Sequence, residues 1–345
     1  MRVLLVVSVS FAVCVAAVTP AAVPAQTPSG DPSGSARRQL VSIVQEVTRA
    51  TRAQYNSRDT GGRTLDTIKI VERGGGGYVS AFHSPDGAGS FSVRFASSTN
   101  LLTWSSGTGS IADASQATLA RRPNGSFLAA YEQRSAGGRS HLQFGQYGGI
   151  SALLAGNASS VSPVSRSLST WNEGTPSLHS VTDVSATVGF HYLATDVTPA
   201  VDRNASGLLN GFPGSAPTWG SITVDARVNN AIQALEPTVH HIGDRDRVMF
   251  QGYGFRLVEA QTRRDDWSSW RVYLYDETAD ARGDTLHAMT KLNVRTHRAS
   301  SSFGNPTATV VTDPIGLRAV VVTLFLFSEG AAAGEAGELI YYRRY

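Results

Sequence analysis

Short hydrophobic strands recur along the chain, and each group of strands begins with the same local pattern. A polar residue is followed by a small residue or proline and then by threonine or serine, just before the strand. The copies are Asp66-Thr67-Ile68, Gln116-Ala117-Thr118, Glu173-Gly174-Thr175-Pro176, Glu236-Pro237-Thr238 and Asn305-Pro306-Thr307. The last four copies are spaced at 59, 61 and 69 residues, measured between Ala117, Pro176, Pro237 and Pro306. Repeats of this length, each holding several short strands, are typical of β-propellers.

Five such groups fill the chain from residue 59 to residue 345, which predicts an all-β fold, a five-bladed β-propeller. The alternative is a β-sandwich, but a sandwich does not explain why polar residues recur at the same point of each group. We expect the hydrophobic strand Leu339–Tyr342 to pair with N-terminal sequence and close the ring, which would hide a strand edge.

One helix precedes the strands. Leu40, Ile43, Val44 and Val47 have the spacing of one helical face, which predicts an amphipathic helix over residues 37–58. We expect this N-terminal helix to cover part of the propeller, with partner binding as the alternative. Residues 26–36 are rich in proline, glycine and serine and predict a flexible linker.

The first 25 residues have the pattern of a secretory signal peptide. An arginine is followed by an apolar run from Val3 to Val18 and by small residues up to Ala25. The protein is therefore expected to be secreted and extracellular, without stable membrane insertion. The alternative is an uncleaved anchor, although the run is shorter than the roughly 20 residues that span a bilayer. Cys14, the one cysteine, lies inside this segment, which excludes cysteine catalysis and zinc–thiolate sites in the mature chain.

Charge does not indicate a nucleic-acid partner. The formal net charge is +3, and basic and acidic residues are interspersed without a basic block. Of the 30 basic residues only Lys69 and Lys291 are lysines, and arginine favours bidentate contacts with carboxylates. We expect a monomer.

The polar residues that open the repeats are the candidates for chemistry. In a propeller the first strand of each blade lines the central channel, so Asp66, Gln116, Glu173, Glu236 and Asn305 are expected to ring one mouth. Hydrolysis of a glycosidic bond needs one carboxylic acid to protonate the leaving oxygen and a second carboxylate as base or nucleophile. Crowded carboxylates raise one another's pKa, which keeps an acid protonated near neutral pH.

The layout resembles the five-bladed propeller glycoside hydrolases, the clan of arabinanases, xylosidases and fructosidases. Glu173-Gly174-Thr175-Pro176 resembles the third-blade motif that carries the clan's general acid, and Asp66-Thr67-Ile68 resembles the first-blade motif that supplies the base. Ser97–Trp104 resembles a recurring blade ending, with Asn100 where the clan has aspartate. The second blade has Gln116 where the clan has another aspartate. The resemblance implies binding and cleavage of an oligo- or polysaccharide.

We assign catalysis to Glu173 as the acid and to Asp66 or Glu236 as the base or nucleophile. The residues expected to bind the ligand are Gln116, His191, Asn305 and Trp171. The alternative is a non-catalytic propeller that binds a glycan or a protein at the same mouth. A third hypothesis is that the protein is a lyase that uses His191 as the base on an acidic sugar.

No metal site is predicted, because the histidines lack metal-ligand spacing. We expect Gly243–Asp246 to form a turn between a strand Thr238–His241 and a strand Val248–Tyr253. Its two aspartates leave a structural calcium ion open, but the other ligands of a calcium loop are missing. We therefore expect no cofactor. Trp267 and Trp270 stack on sugar rings if they are exposed and pack between blades if they are buried.

Overall fold

Twenty strands form five four-stranded antiparallel sheets, and these are the blades of a five-bladed β-propeller. The structure is a computed structural model that describes residues 30–87, 89–135, 137–197, 199–212 and 216–345. The predicted fold class is confirmed. The predicted signal peptide, residues 1–25, lies outside the described residues, as do residues 26–29 of the predicted linker. Residues 34–36, which the sequence predicts to belong to that linker, are part of the N-terminal helix.

Blades 1 to 4 each use four consecutive strands, numbered here in chain order after a short first strand β1 (Arg52–Gln54). Blade 1 contains β2 (Asp66–Glu72), β3 (Tyr78–Pro85), β4 (Phe91–Ser98) and β5 (Ser105–Ala112). Blade 2 contains β6 (Ala114–Arg121), β7 (Phe127–Arg134), β8 (Ser140–Tyr147) and β9 (Ser160–Pro163). Blade 3 contains β10 (Glu173–Val181), β11 (Ser185–Ala194), β12 (Val201–Asn210) and β13 (Thr218–Val224). Blade 4 contains β14 (His241–Phe250), β15 (Tyr253–Gln261), β16 (Trp270–Asp276) and β17 (Met289–Lys291).

Blade 5 is closed by distant segments of the chain. Its strands β18 (Phe303–Thr312), β19 (Arg318–Leu326) and β20 (Gly337–Arg344) are completed by β1, in which Ala53 pairs with Tyr341. The expected pairing of the strand near residue 340 with N-terminal sequence is confirmed. The backbone groups along that edge of β20 are hydrogen-bonded instead of exposed.

The strands are hydrophobic in continuous runs because neighbouring blades cover both faces of each sheet. In β19, Val320, Val321 and Val322 are all at most 1% exposed. Val320 and Val322 pack towards blade 4, whereas Val321 packs towards blade 1. Burial on both faces removes the apolar–polar alternation of a half-exposed strand. The remaining polar positions in these strands are therefore the ones that need an explanation.

The N-terminal helix is shorter than the sequence predicts. It runs over Gly34–Gln45 and is followed by a 3₁₀ turn at Val47–Arg49 and then by β1, so the predicted helix over 37–58 is wrong in its second half. Leu40, Val44 and their neighbours pack between blades 4 and 5, as expected of a covering helix.

The fourth blade begins later than the sequence predicts. A helix, Ala226–Leu235, occupies the connection before it, and the inner strand β14 starts at His241. The predicted turn at Gly243–Asp246 is wrong, since these residues lie inside β14 and the turn falls at Gln251 and Gly252. Instead of forming a turn, the charged side chains of Asp244, Arg245 and Asp246 are buried and pair with Arg256, Glu259 and Lys69.

Three further short helices connect strands, at Ile150–Leu154, Glu277–Ala281 and Thr285–Ala288. Among the described residues, none of the helices has the length and apolar composition required to cross a membrane.

Candidate functional site

Each inner strand contains a β-bulge close to its first residues, at the same end of the propeller. The register shifts lie in Asp66–Lys69, Ser115–Thr118, Gly174–Ser177, Asp244–Asp246 and Gly304–Thr307. In four of the five the bulged residue has a positive φ, between 48° and 56°: Thr67, Gln116, Thr175 and Asn305. In blades 1, 2, 3 and 5 the recurring sequence pattern therefore corresponds to a bulge that bends the inner strand at the channel mouth, whereas blade 4 has the bulge without the pattern.

A bulged residue turns its backbone N–H out of the ladder, and here a side chain of the preceding blade accepts it. The five donor–acceptor pairs are Thr67 to Glu338 (3.0 Å), Gln116 to His83 (3.1 Å), Thr175 to Glu132 (3.3 Å), Asp244 to Asn204 (3.2 Å) and Asn305 to Glu259. These bonds form a closed ring through all five blades. They explain why charged and imidazole groups are kept in otherwise apolar strands.

Arg245 lies at the centre of this ring. It is 4% exposed, and its charge acts on Glu259, Glu132 and Glu338, which belong to blades 4, 2 and 5. Its Nε is 3.7 Å from Glu259 Oε1, and its Nε and Nη1 have no hydrogen-bond partner among the described residues. Buried donors of this kind are expected to be paired with a water molecule or with a bound molecule.

Two histidines and two carboxylates meet at the mouth between blades 3 and 4. His241 Nδ1 donates to Asp202 Oδ2 over 2.9 Å, and its Nε2 is 3.6 Å from Glu259. The ring of His191 lies 5.2 Å from that of His241. Burial alone would lower the pKa of His241, but the hydrogen bond to Asp202 and the charges of Asp202 and Glu259 raise it to about 9. Burial would likewise raise the pKa of Asp202, but His241 lowers it to about 2.

The ion pair between His241 and Asp202 should make the free energy of unfolding depend on pH. Protonated His241 stabilises the folded protein, because its pKa is higher in the folded state (about 9) than in the unfolded state (6.5). This stabilisation is fully present below pH 6.5 and is lost as the pH rises through about 9. We expect the free energy of unfolding to fall by roughly 1–3 kcal/mol over that range. Urea unfolding at a series of pH values measures this, and the fall should be shallower in Asp202→Asn. Parallel curves for the two proteins would contradict the assignment.

Asp66 lies across the mouth, as the first residue of β2. It is partly exposed, and Thr64 donates a hydroxyl hydrogen bond to its Oδ2 over 3.0 Å. Burial raises the pKa of Asp66 to about 6. Burial and the charge of Asp66 also raise the pKa of Glu338, which lies beneath it. The mouth thus holds one carboxyl that protonates near pH 6 and another, Asp202, that stays ionised.

Glu173 starts β10 as predicted, but its carboxylate is 1% exposed and turned towards the preceding loop. Its Oε1 accepts the backbone N–H groups of Ser167, Leu168 and Ser169 over 2.7, 2.5 and 3.1 Å. Three amide donors on one oxygen are typical of a carboxylate that fixes a loop. The geometry makes Glu173 a positioning residue of the loop beside the mouth.

Glu236 does not lie at the mouth, so its predicted position is wrong. It caps the end of the helix Ala226–Leu235, and its Oε1 accepts hydrogen bonds from Tyr273 and Lys291 on the outer strands of blade 4. The Glu-Pro-Thr at this point imitates the repeat pattern, whereas the bulge of blade 4 carries Asp244 and Arg245. The sequence pattern was therefore assigned to Glu236-Pro237-Thr238 and not to the bulge of blade 4, because the residues at that bulge include neither proline nor threonine.

The other candidate residues lie at the mouth end of their strands. Gln116 and Asn305 occupy bulges, His191 pairs with Gly174 in blade 3, and Trp171 is 51% exposed in the loop before β10. An aromatic group lies on the other side of His241, whose ring is 5.0 Å from that of Trp270. Trp270 is 9% exposed and buried, while Trp267 is 50% exposed. Trp270 therefore packs in the interior, where its ring lies 5.2 Å from that of Phe327, and stacking of Trp267 on a sugar ring stays a prediction.

The residues that sequence reasoning missed share a simple signal. His83, Glu132 and Glu259 each directly follow a buried hydrophobic residue in the second strand of blade 1, 2 or 4, in the pairs Phe82-His83, Tyr131-Glu132 and Val258-Glu259. His191, which the sequence did indicate, follows Phe190 in the same way in blade 3. Arg245 carried no such signal. Within the described ranges, His, Cys, Asp and Glu side chains do not form a group of three or more suited to a metal ion.

Comparisons with known proteins support the fold. No protein-family model matches the chain, and no curated protein sequence matches it. An exo-1,5-α-L-arabinanase from a bovine ruminal metagenomic library superposes with a TM-score of 0.52 at 12% identity, covering 84% of this chain and 94% of the other. A thermostable family-43 glycoside hydrolase superposes with a TM-score of 0.51 at 10% identity, covering 84% and 92%. The expected resemblance to five-bladed propeller hydrolases is confirmed at the level of fold.

Proposed function

We propose that the protein is a secreted carbohydrate-active enzyme that hydrolyses a glycosidic bond at the mouth of the propeller. The observation that carries this proposal is the set of partly exposed carboxylates at the mouth end of three blades, Asp66 on blade 1, Glu132 on blade 2 and Asp202 on blade 3. Sugars present many hydroxyl groups, and clustered carboxylates and imidazoles are suitable partners for them. The exposed ring of Trp267 supplies a face on which a sugar ring can stack.

Asp66 suits the role of the general acid. Its pKa of about 6 keeps a proton available in mildly acidic solution, which a glycosidic oxygen needs as its bond to the anomeric carbon breaks. Asp202, with a pKa of about 2, suits the role of the ionised carboxylate that activates water or attacks the anomeric carbon. These roles replace the assignment of the acid to Glu173, because the loop amides occupy that carboxylate.

The pH dependence of turnover tests these roles. An acid with a pKa of about 6 is active only while protonated, so we expect kcat/KM to fall as pH rises through about 6. Asp202 remains ionised down to about pH 2, so the acidic limb should lie far lower. The measurement is hydrolysis of arabino-, xylo- and fructo-oligosaccharides between pH 3 and pH 9, followed by reducing-end release. A flat profile, or a rate that rises from pH 5 to pH 8, would overturn the assignment of Asp66 as the acid.

A second candidate function is glycan binding without turnover. The observations that favour it are the engagement of Glu173 by three amides and the presence of Gln116 in the second blade, where the hydrolase clan has aspartate. It predicts saturable binding of the same oligosaccharides with no release of reducing ends. Calorimetry beside the hydrolysis assay distinguishes the two functions.

A further inference from the structure

We propose that a pocket beside the mouth is a subsite for a negatively charged sugar residue, such as a uronate or a sulfated sugar. The pocket has a volume of about 690 Å³. The inference rests on the proposed function, since it names the class of glycan that the mouth receives. A subsite at this place gives buried Glu173 a role, since its carboxylate holds the loop that forms one wall of the pocket.

The pocket lies at the same end of the propeller as the mouth. One wall is formed by Ser135, Arg139 and His141 near the start of β8, and the other by residues 163–170, from the last residue of β9 onward. Because the strands of a blade alternate in direction, both walls lie at the end where the inner strands begin. The lining residues are Ser135, Arg139, His141, Pro163, Val164, Ser165, Arg166, Ser167, Leu168, Ser169 and Thr170.

The charge of the lining has one sign. The lining contains two arginines, Arg139 and Arg166, and neither aspartate nor glutamate. Neither arginine forms an ion pair with a carboxylate in the part of the chain that the structure describes, although Arg166 donates to the backbone oxygen of Ser140 over 3.3 Å. Unpaired guanidinium groups beside five hydroxyl side chains are suited to a carboxylate or a sulfate that belongs to a sugar.

The arginines are held in defined orientations. The guanidinium of Arg139 lies 4.7 Å above the ring of Trp171, which leaves its N–H edge free for a planar, bidentate contact. His141 Nδ1 is 2.9 Å from the hydroxyl of Ser135. Burial and the nearby charge of Arg166 lower the pKa of His141, so the imidazole is neutral at pH 7 and offers hydrogen bonds without adding charge.

Glu173 fixes the loop that forms the far wall. Its carboxylate holds the amides of residues 167–169, and Ser169 Oγ accepts the N–H groups of Trp171 and Asn172. Asn172 Oδ1 in turn accepts the N–H of Ser140, which ties this loop to the start of β8. The pocket is therefore shaped before a ligand arrives, which reduces the entropy lost on binding. The Glu173 carboxylate is hydrogen-bonded to the backbone N–H groups of Ser167, Leu168 and Ser169, so its negative charge is directed at these amides.

Calorimetric titration with matched ligands tests the subsite. The probes are a uronate-bearing oligosaccharide and its carboxyl-reduced neutral form, and a sulfated oligosaccharide and its desulfated form. We expect one charged form to bind the wild-type protein at least about tenfold more tightly than its neutral counterpart, since hydrogen bonds to charged groups are the stronger ones. Which charged form prevails distinguishes a uronate from a sulfate. Equal affinity within both pairs would overturn the proposal.

Two variants locate the effect. Arg139→Gln and Arg166→Gln should each remove most of the preference for the charged form and leave the affinity for the neutral form within about twofold. Arg318→Gln, at an exposed site at the opposite end of blade 5, is the matched control and should keep the full preference. Circular dichroism shows whether each variant is folded. A preference that persists in both folded pocket variants would overturn the proposal.

The outcome for the subsite is separable from the outcome for catalysis, because calorimetry needs no turnover. A charge preference that depends on Arg139 and Arg166, without hydrolysis of any oligosaccharide, supports the subsite and overturns the enzymatic function. Hydrolysis of neutral oligosaccharides without any preference for a charged ligand supports the enzymatic function and overturns the subsite.

Discussion

Replacing Asp66 with asparagine is expected to lower kcat for oligosaccharide hydrolysis by about 10²- to 10⁴-fold, the usual contribution of a general acid or base. Asparagine has nearly the same shape and keeps a carbonyl oxygen for the hydroxyl of Thr64, so binding should change little. It cannot deliver a proton to the leaving oxygen. The effect should therefore be large on natural oligosaccharides and much smaller on dinitrophenyl glycosides, whose leaving group needs no proton.

Glu236→Gln is the matched control for Asp66→Asn. Its carboxylate belongs to the same repeated sequence pattern, yet it bonds to Tyr273 and Lys291 on the outer strands of blade 4. Hydrolysis by this variant should stay within twofold of the wild-type rate. If Asp66→Asn keeps more than a tenth of wild-type turnover on natural oligosaccharides, Asp66 is not the acid.

Replacing Asp246 with alanine is expected to destabilise the protein by about 3–5 kcal/mol, because it leaves a buried ammonium group without its counter-ion. Lys69 Nζ lies 2.5 Å from Asp246 Oδ2, and both side chains are at most 9% exposed. The same oxygen accepts the N–H of Ala308 over 2.9 Å, so the ion pair joins blades 1, 4 and 5 inside the channel. Guanidinium unfolding measures the loss.

Two comparison variants make the Asp246 prediction specific. Removing both charges, as Lys69→Met with Asp246→Leu, should recover most of the lost stability, since well-packed apolar side chains can replace a buried ion pair. Asp265→Asn removes the charge of a carboxylate that is 92% exposed and 3.8 Å from Arg264, at a positive φ that asparagine tolerates, and it should change stability by less than about 0.5 kcal/mol. A double variant no more stable than Asp246→Ala would show that the ion pair does not account for the effect.

The fold could be predicted because it depends on a property that repeats. The bulge needs a residue that tolerates a positive φ, followed by a strand, and four of the five copies show this in residues such as Gln116 and Asn305. Blade 4 breaks the pattern because an ion-paired network replaces the usual small residues at Asp244, Arg245 and Asp246. In a single sequence, a glycine followed by three charged residues, as in Gly243–Asp246, is typical of a turn.

The site was predictable only in part, for a physical reason. Sequence reasoning finds which side chains begin an inner strand, and this located Asp66 correctly. It cannot tell whether a carboxylate faces the mouth or is held by its own loop, which is the difference between Asp66 and Glu173. Nor can it foresee that the acceptors in blades 5 and 3 are Glu338 and Asn204, which come from the third strand of their blade.

The pairing of β1 with β20 constrains how the protein folds. Ala53 and Tyr341 are partners although 288 positions separate them, so this contact carries one of the largest loop-closure costs in the chain. During synthesis, blades 1 to 4 are made while β1 still has no strand to pair with. Until β20 arrives, the nascent chain exposes the faces of blades 1 and 4 that blade 5 later covers. Folding should therefore end in one late, slow docking step, and chains interrupted before β20 should be prone to aggregation.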